Sequence, residues 1–220
     1  EIRVTVPQTA EPGYVALVFR DGEHIVSKTQ LTYSEPISIE SFSPEIVRPG
    51  DVLTIKGEYL NLIHQVIFAD NVIVSDEMAE QESVEGDNKF LKHTRNEIQV
   101  LVPAEARSGK IILSDGAEIP NWIYSELELQ VVIPSVGEMV ELSEKKPGDN
   151  VTIIGENLNL VKEIRMPNGG TVEFVYSEEN KSITFALPED VSNGIVYAVT
   201  ASGVDVAVAE VIVAVPKDVA

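Results

Sequence analysis

Apolar and polar residues alternate along most of this chain, which is typical of β-strands that bury one face. In residues 1–6 every second position is isoleucine or valine, and the positions between them are charged or polar. The same period of two recurs in residues 97–102 and 126–131. Turn signals such as Pro-Gly-Asp and Asp-Gly separate these stretches, and helical periodicity is nearly absent. The pattern therefore predicts an all-β protein built from antiparallel sandwiches.

One segment occurs twice with nearly the same sequence. It reads RPGDVLTIKGEYLNLIHQVIF from Arg48 and KPGDNVTIIGENLNLVKEIRM from Lys146, which is 98 residues later. A second motif occurs three times, with a proline at the end of an alternating strand and a glycine six residues later. The three pairs are Pro7/Gly13, Pro103/Gly109 and Pro188/Gly194. Such repeats predict one small scaffold that is built more than once.

The repeats divide the chain into two whole units and one rear half. Residues 1–35 are the rear half of a unit whose front half is absent, and residues 36–134 and 135–220 are each predicted to form a complete sandwich. A rear half alone leaves apolar strand faces uncovered, so we expect that native sequence precedes Glu1 or that this part pairs unusually. The boundaries contain proline but no Gly/Ser tract, which favours stiff links and a row of units.

Each matched residue in the repeated segment has a role in folding. Proline fixes φ and glycine tolerates positive φ, so Pro-Gly-Asp predicts a tight turn. Gly57 and Gly155 end the next strand at a point where we expect a side chain to obstruct. Leu60 and Leu158 are predicted to plug the end of each sandwich. The motif therefore specifies architecture rather than chemistry.

These motifs resemble those of the IPT/TIG family of immunoglobulin-like modules, which have a P..G..LTI.G.NL start, a V-x-F strand and an I.V.VP....G rear half. The matching stretches are residues 49–60, 66–68 and 98–116, and again residues 147–158, 164–166 and 183–203. The resemblance covers almost the whole chain. It implies tandem immunoglobulin-like antiparallel β-sandwiches of the IPT/TIG type.

Within that family, tandem cysteine-free units with acidic surfaces are similar to those of the surface glycan-binding lipoproteins of Bacteroidetes. The resemblance implies a non-enzymatic, rigid spacer or presenter in glycan binding and polysaccharide utilisation, on the extracellular side of a bacterial outer membrane. The lipid-anchor cysteine and the distal carbohydrate-binding domain of such proteins are absent from these 220 residues. Two other roles stay open: a protein–protein or adhesion module, and an accessory part of a polysaccharide-degrading enzyme.

The composition narrows the classes of partner. Asp and Glu number 36 against 16 Lys and Arg, giving a formal net charge of −20. Acidic surfaces of this kind favour solubility, and they also suit calcium or a cationic partner. Nucleic acid is not expected, because phosphate contacts need clustered basic residues. No run of apolar residues is long enough for a membrane span, although the parent chain could be lipid-anchored. We predict a polysaccharide or a surface protein as the partner, and no cofactor.

The middle unit carries about 13 extra residues within residues 75–96, because 35 positions separate Phe68 from Pro103 and only 22 separate Met166 from Pro188. This stretch fits a solvated loop, a partner contact or a calcium site, since calcium prefers several converging oxygen ligands. The spacing of its carboxylates matches no EF-hand loop. The carboxylates are those of Asp76, Glu77, Glu80, Glu82, Glu85 and Asp87.

Trp122 and Tyr124 are the candidate ligand-binding residues. They lie in a stretch that is 31 positions long from Pro103 to Pro134, against 28 from Pro188 to Pro216. In an extended segment both rings point the same way, and exposed aromatic pairs stack on sugar rings. The alternative is that Trp122, the only tryptophan, packs over the edge of its own sandwich or at a joint between units.

Catalytic and metal-binding residues are not predicted. The three histidines, His24, His64 and His93, lie in different local contexts, and His64 matches Lys162 of the later unit. Cysteine is absent, so metal sites made of histidine and cysteine are excluded by count. HExxH, CxxC, GxSxG and Walker motifs do not occur.

Overall fold

The computed structural model describes residues 2–6, 13–31, 36–76, 90–117, 120–143 and 145–212. Within these ranges the chain forms twenty β-strands, and its helical elements are short 3-10 turns. Two strand pairs are parallel and the others are antiparallel. The predicted all-β sandwich fold is confirmed. The described residues contain no helix long and apolar enough to cross a membrane.

The chain divides into two compact units, Glu1–Pro36 and Ile37–Ala220. The described residues of the first form one hairpin, from β1 (Gly13–Val18) and β2 (His24–Leu31). Its apolar side chains are open to solvent, and Leu17 and Ile25 are 42% and 60% exposed.

The second unit contains two sandwiches, each with its own core. In the first sandwich, one sheet has the strand order β3-β5-β9-β8 and the other has the order β4-β11-β10-β6-β7. The nine strands are β3 (Ser38–Ser43), β4 (Ile46–Val47), β5 (Val52–Glu58), β6 (Gln65–Phe68), β7 (Val72–Ser75), β8 (Phe90–His93), β9 (Glu97–Leu101), β10 (Gly109–Ser114) and β11 (Trp122–Val131). The alternating positions Leu53, Ile55, Ile98 and Val100 are fully buried in this core.

The second sandwich repeats this plan with a separate core around Val151, Ile153 and Ile183. Its sheets have the orders β12-β14-β18-β17 and β13-β20-β19-β15-β16. The strands are β12 (Ser135–Val136), β13 (Val140–Glu141), β14 (Asn150–Glu156), β15 (Val161–Arg165), β16 (Thr171–Val172), β17 (Phe174–Ser177), β18 (Ser182–Ala186), β19 (Gly194–Thr200) and β20 (Asp205–Val211). One scaffold is therefore built twice, each time around its own apolar residues.

The repeated glycines are required by close backbone contact. A Cβ atom on Gly57 would lie 1.9 Å from the carbonyl oxygen of Ser38, and one on Gly155 would lie 2.2 Å from that of Ser135. The next residues form 3-10 turns at Leu60–Leu62 and Leu158–Leu160. The first leucine of each turn is buried in its core. Both predictions for the repeated segment, the obstructed glycine and the plugging leucine, are confirmed.

The proline–glycine motif begins the same hairpin in all three copies. The glycine is the first residue of β1, β10 and β19, and it pairs with Leu31, Leu129 and Val211 respectively. Each hairpin has a bulge just after this point. In the first two copies a serine hydroxyl fills it: Ser27 accepts from the Val15 N–H and Ser125 from the Ile111 N–H, each at 3.0 Å. Pro7 lies outside the described residues.

Candidate ligand-binding surface

Trp122 and Tyr124 stand on the outward face of the first sandwich, at the start of β11. Their exposed fractions are 54% and 51%. Ile123 between them packs against the core, so the two rings point away from it, as the extended arrangement requires. Just before β11, the backbone N–H of Asn121 donates to the Asp115 carboxylate at 3.1 Å. The predicted pair therefore lies on one surface.

The aromatic pair ends two rows of side chains that cross the sheet. The strand register pairs Tyr124 with Ile112, then Ile67 and Ile73, which makes an apolar row. The neighbouring row begins at Trp122 and is polar. It continues through Ser114, Gln65 and Ser75. Ser114, Ser75 and Ile67 are buried, so the part of these rows that a ligand can reach is formed mainly by the two exposed rings. Each ring combines an apolar face with a polar tip, which suits a ligand that has apolar faces and polar rims.

The other two copies of this hairpin lack aromatic residues at the same register. Trp122 pairs with the residue five positions after the motif glycine, and the equivalent position is His24 in the first unit and Asp205 in the second sandwich. Tyr124 is replaced by Val26 and Ala207. The scaffold therefore folds without an aromatic pair, and the pair is particular to this sandwich.

The second sandwich uses the matching surface for an ion cluster. The Arg165 guanidinium lies 2.9 Å from the Asp205 carboxylate and 3.3 Å from that of Glu163. Hydrogen bonds to Asp205 and then to Glu163 raise the pKa of Arg165 above its ordinary value. The charged side chains on this surface are paired with one another, whereas the equivalent surface of the first sandwich carries the two exposed rings.

The structure brings two of the three histidines together, although their local sequence contexts differ. His64 Nδ1 lies 2.8 Å from Asp76 Oδ2, and His93 Nδ1 lies 3.8 Å from the same oxygen. His93 Nε2 is also 2.9 Å from the carbonyl oxygen of Leu60. The strands β6 and β8 belong to different sheets, so this meeting depends on sandwich packing that local sequence does not reveal.

The calcium interpretation rests on residues that the structure mostly does not describe. Asp76 is described, and its Oδ1 is buried without a hydrogen-bond partner among the described residues. Glu77, Glu80, Glu82, Glu85 and Asp87 lie outside those residues. Within the described ranges, no group of three or more His, Asp and Glu side chains could hold a metal ion.

The joint between the two sandwiches was not predicted in residue detail. The Arg48 guanidinium donates to the side-chain oxygens of Asn157 and of Asn159, the latter at 3.0 Å. Arg107 donates from Nε to the carbonyl oxygen of Ser202 at 2.8 Å. A small cavity of about 190 Å³ with mostly apolar walls, including Val131 and Leu160, lies at the same joint. One signal was present in the sequence: Asn157 stands where the first copy has Tyr59, between shared Gly-Glu and Leu-Asn-Leu residues.

Comparisons with known proteins give structural likeness only. No protein-family model and no curated protein matches the chain. Among solved structures, SGBP-B from the mixed-linkage glucan utilization locus of Bacteroides ovatus is 19% identical, with a TM-score of 0.31, over 91% of this chain and 52% of its own. The surface glycan-binding protein PbSGBP-B of Prevotella bryantii is 19% identical, with a TM-score of 0.34, over 79% and 41%.

The extracellular region of plexin A4 matches similarly, at 15% identity and a TM-score of 0.33 over 86% of this chain and 17% of its own. The chain spans about half of the length, or less, of these three structures. Glycan-binding proteins and a plexin score alike, so the comparison does not select a function. Membership of the IPT/TIG family stays a prediction.

Proposed function

We propose that this chain is a non-enzymatic part of a bacterial cell-surface protein, in which it acts as a rigid spacer or presenter for glycan binding. Its functional units are those predicted from the repeats: residues 1–35, 36–134 and 135–220. The proposal places it on the extracellular side of the outer membrane, in a lipid-anchored parent, with a polysaccharide as the partner.

The direct joint between the two sandwiches is the observation that carries this proposal. Only three residues, 132–134, connect β11 to β12. The Val132 N–H donates to the Val47 carbonyl in the first sandwich at 2.8 Å, and the Asn157 side chain donates to the Ile133 carbonyl from the second at 3.5 Å. Pro134 is buried. A connection that is hydrogen-bonded to both sandwiches restricts their motion relative to each other, and a rigid spacer requires this restriction.

Arginine side chains strengthen this joint. Hydrogen bonds from a charged donor are stronger than neutral ones, and the planar guanidinium can bind two acceptors at once. Arg48 binds two asparagine oxygens of the second sandwich, and Arg107 binds the Ser202 carbonyl while it pairs with Asp70 of its own sandwich at 2.7 Å. These contacts oppose bending of one sandwich against the other.

The exposed aromatic pair supports glycan contact by the spacer itself. Residues two apart on a strand have side chains about 7 Å apart, so Trp122 and Tyr124 can contact neighbouring parts of one ligand. Both rings combine an apolar face with a polar tip, which suits the faces and hydroxyls of a sugar. The pair is absent from the matching register of the other copies, which favours a ligand role over a folding role.

Affinity electrophoresis on a panel of soluble polysaccharides tests glycan contact. The 220-residue chain should be retarded by at least one polysaccharide, and Trp122→Ala should reduce that retardation. Leu127→Ala is the matched control, because Leu127 is an exposed apolar residue on the same strand. Unchanged migration of the original chain on every polysaccharide would exclude direct glycan contact and leave only the spacer role.

A protein partner is the second candidate, and the edge of β11 favours it. Its neighbour β4 pairs only with Gln130 and Val131, so residues 122–129 have no strand beside them on that edge within the described part of the chain. An unpaired edge can accept a strand from another protein. A proline at an edge position, as in Leu127→Pro, would block such pairing while Trp122 and Tyr124 stay in place.

A further inference from the structure

A polar cleft opens where the first sandwich meets the second. Its volume is about 430 Å³, which falls within the range of ligand-binding sites. Arg48 contributes one wall from the first sandwich, and the second sandwich supplies most of the others. These include Asn157, Asn159, Tyr176, Glu178 and Lys181.

Several polar groups of this cleft have no partner among the residues that the structure describes. Arg48 uses the side-chain oxygens of Asn157 and Asn159, which leaves the Asn159 amide nitrogen unpaired among the described residues. The Tyr176 hydroxyl and the Glu178 carboxylate likewise form no hydrogen bond or ion pair with a described residue. The cleft thus offers a donor, an acceptor and a hydroxyl that can be either.

The first sandwich fills the equivalent corner with its own side chains. Tyr59 occupies the position of Asn157, and both have the same left-handed backbone, with φ of 56° and 58°. The Arg95 guanidinium lies 3.9 Å from the centre of the Tyr59 ring, so that corner is covered. Asparagine adopts this backbone readily, and its small side chain turns towards Arg48. The cleft is therefore not an unavoidable product of the scaffold.

A second pair of equivalent residues supports the comparison. The Asn96 amide donates to Glu58 at 3.0 Å in the first sandwich, and the Lys181 ammonium binds Glu156 at 2.9 Å in the second. Both copies therefore keep a polar contact to the equivalent glutamate. They differ at the position that Tyr59 fills in the first sandwich and that Asn157 leaves open in the second.

The charges of the cleft favour a neutral ligand. Arg48 and Lys181 are balanced by Glu156 and Glu178, so its formal charge is zero. The whole chain carries −20, which repels polyanions. Tyr176, which is 36% exposed, adds an aromatic surface on which an apolar ring face can stack. Ring faces together with many neutral hydroxyls are characteristic of sugars.

We infer that this cleft is a binding site for a neutral oligosaccharide, separate from the aromatic pair on β11. The sugar ring stacks on Tyr176, and its hydroxyls bind the Glu178 carboxylate and the Asn159 amide. A ligand held there contacts Arg48 as well as the second sandwich, so it also bridges the joint. Nothing in this inference depends on Trp122 or Tyr124.

The test is a titration of the ¹⁵N-labelled 220-residue chain with cellohexaose, mannohexaose and xylohexaose, followed by NMR. At least one hexasaccharide should shift the side-chain amide signals of Asn157 and Asn159 in a saturable way. Tyr176→Ala should weaken this binding by about tenfold, because it removes the stacking surface. Glu178→Gln should also weaken it without removing any packing atom, and Tyr176→Phe should retain most of it.

Trp122→Ala is the control that separates this inference from the proposed function, and it should leave the shifts of Asn157 and Asn159 unchanged. Shifts confined to residues near Trp122 would support glycan contact by the aromatic pair and overturn the cleft. Absence of any shift with all three hexasaccharides would also overturn it. So would an affinity of Tyr176→Ala and Glu178→Gln equal to that of the original chain.

Discussion

Arg107 of the first sandwich donates from Nε to the carbonyl oxygen of Ser202 in the second at 2.8 Å. These residues are 95 positions apart, and the local sequence of neither one indicates this contact. The same guanidinium pairs with Asp70, which holds it in place from behind. A single side chain therefore links a turn of one sandwich to a turn of the other.

Arg107→Ala should loosen this joint without unfolding either sandwich. We expect the free energy of unfolding to fall by about 1 kcal/mol, because the bond is charge-assisted but partly exposed to water. Amide ¹⁵N relaxation should then show the two sandwiches tumbling with different correlation times. Arg95→Ala is the matched control, since the contacts of Arg95 with Tyr59 and Glu58 lie within its own sandwich.

Gly57→Ala and Gly155→Ala should each destabilise the sandwich that contains them by about 3 kcal/mol, because the new methyl group overlaps a backbone carbonyl oxygen. Denaturant unfolding measures the change. Gly137→Ala is the control, as no heavy atom lies within 4 Å of the added carbon. Equal stability of the three variants would show that the strands at these glycines can move apart.

The two separate cores predict two separate losses of stability. Leu60→Ala should reduce the unfolding free energy of the first sandwich by about 3 kcal/mol, and Leu158→Ala that of the second by a similar amount, since each removes a buried leucine. Hydrogen exchange of the strands in each sandwich would locate the effect. Protection lost equally from both sandwiches in either variant would contradict independent cores.

Glu97 gives a prediction that depends on pH. A hydrogen bond from Lys92 is the largest cause that lowers the pKa of Glu97 below its ordinary value of 4.5. Because the folded pKa is the lower one, the stabilisation is present above the unfolded pKa and is lost as the pH falls through the folded value. Lys92→Met should therefore be less stable than the original chain at pH 7.

The difference between the two proteins should shrink as the pH is lowered below about 4, where the unfolded carboxyl is already protonated. Denaturant unfolding at pH 7 and pH 3 measures it. Lys110→Met serves as the control, because Lys110 is an exposed lysine on a strand of the other sheet. A constant difference across this range would show that packing of the Lys92 chain, and not its charge, is responsible.

Sequence periodicity and repetition were sufficient to predict the all-β fold and the exposed position of the aromatic pair. The alternation of Leu53 and Ile55 places both in the core, and the repeated glycines lie where a Cβ atom would obstruct. The outward direction of Trp122 and Tyr124 also follows from alternation along one strand. These features depend on the geometry of a single strand, so the pattern of residues along that strand is enough to predict them.

Contacts between distant strands could not be predicted in this way. His64 and His93 meet at Asp76 because two sheets pack face to face, and neither sequence neighbourhood indicates its partner. The joint contacts of Arg48 depend on how the consecutive sandwiches are oriented, and the repeated motifs carry no information about that orientation. Comparing the two copies position by position would have singled out Asn157, the residue that opens the cleft.

The rigidity of the joint between the two sandwiches is tested most directly by residual dipolar couplings. Backbone N–H couplings of the 220-residue chain, measured in a dilute aligned medium, would be fitted separately for the strands of residues 38–131 and 135–211. A rigid spacer predicts that both sets give one alignment tensor, with the same magnitude and orientation. Two tensors of different magnitude would show that the sandwiches reorient independently, and they would contradict the spacer.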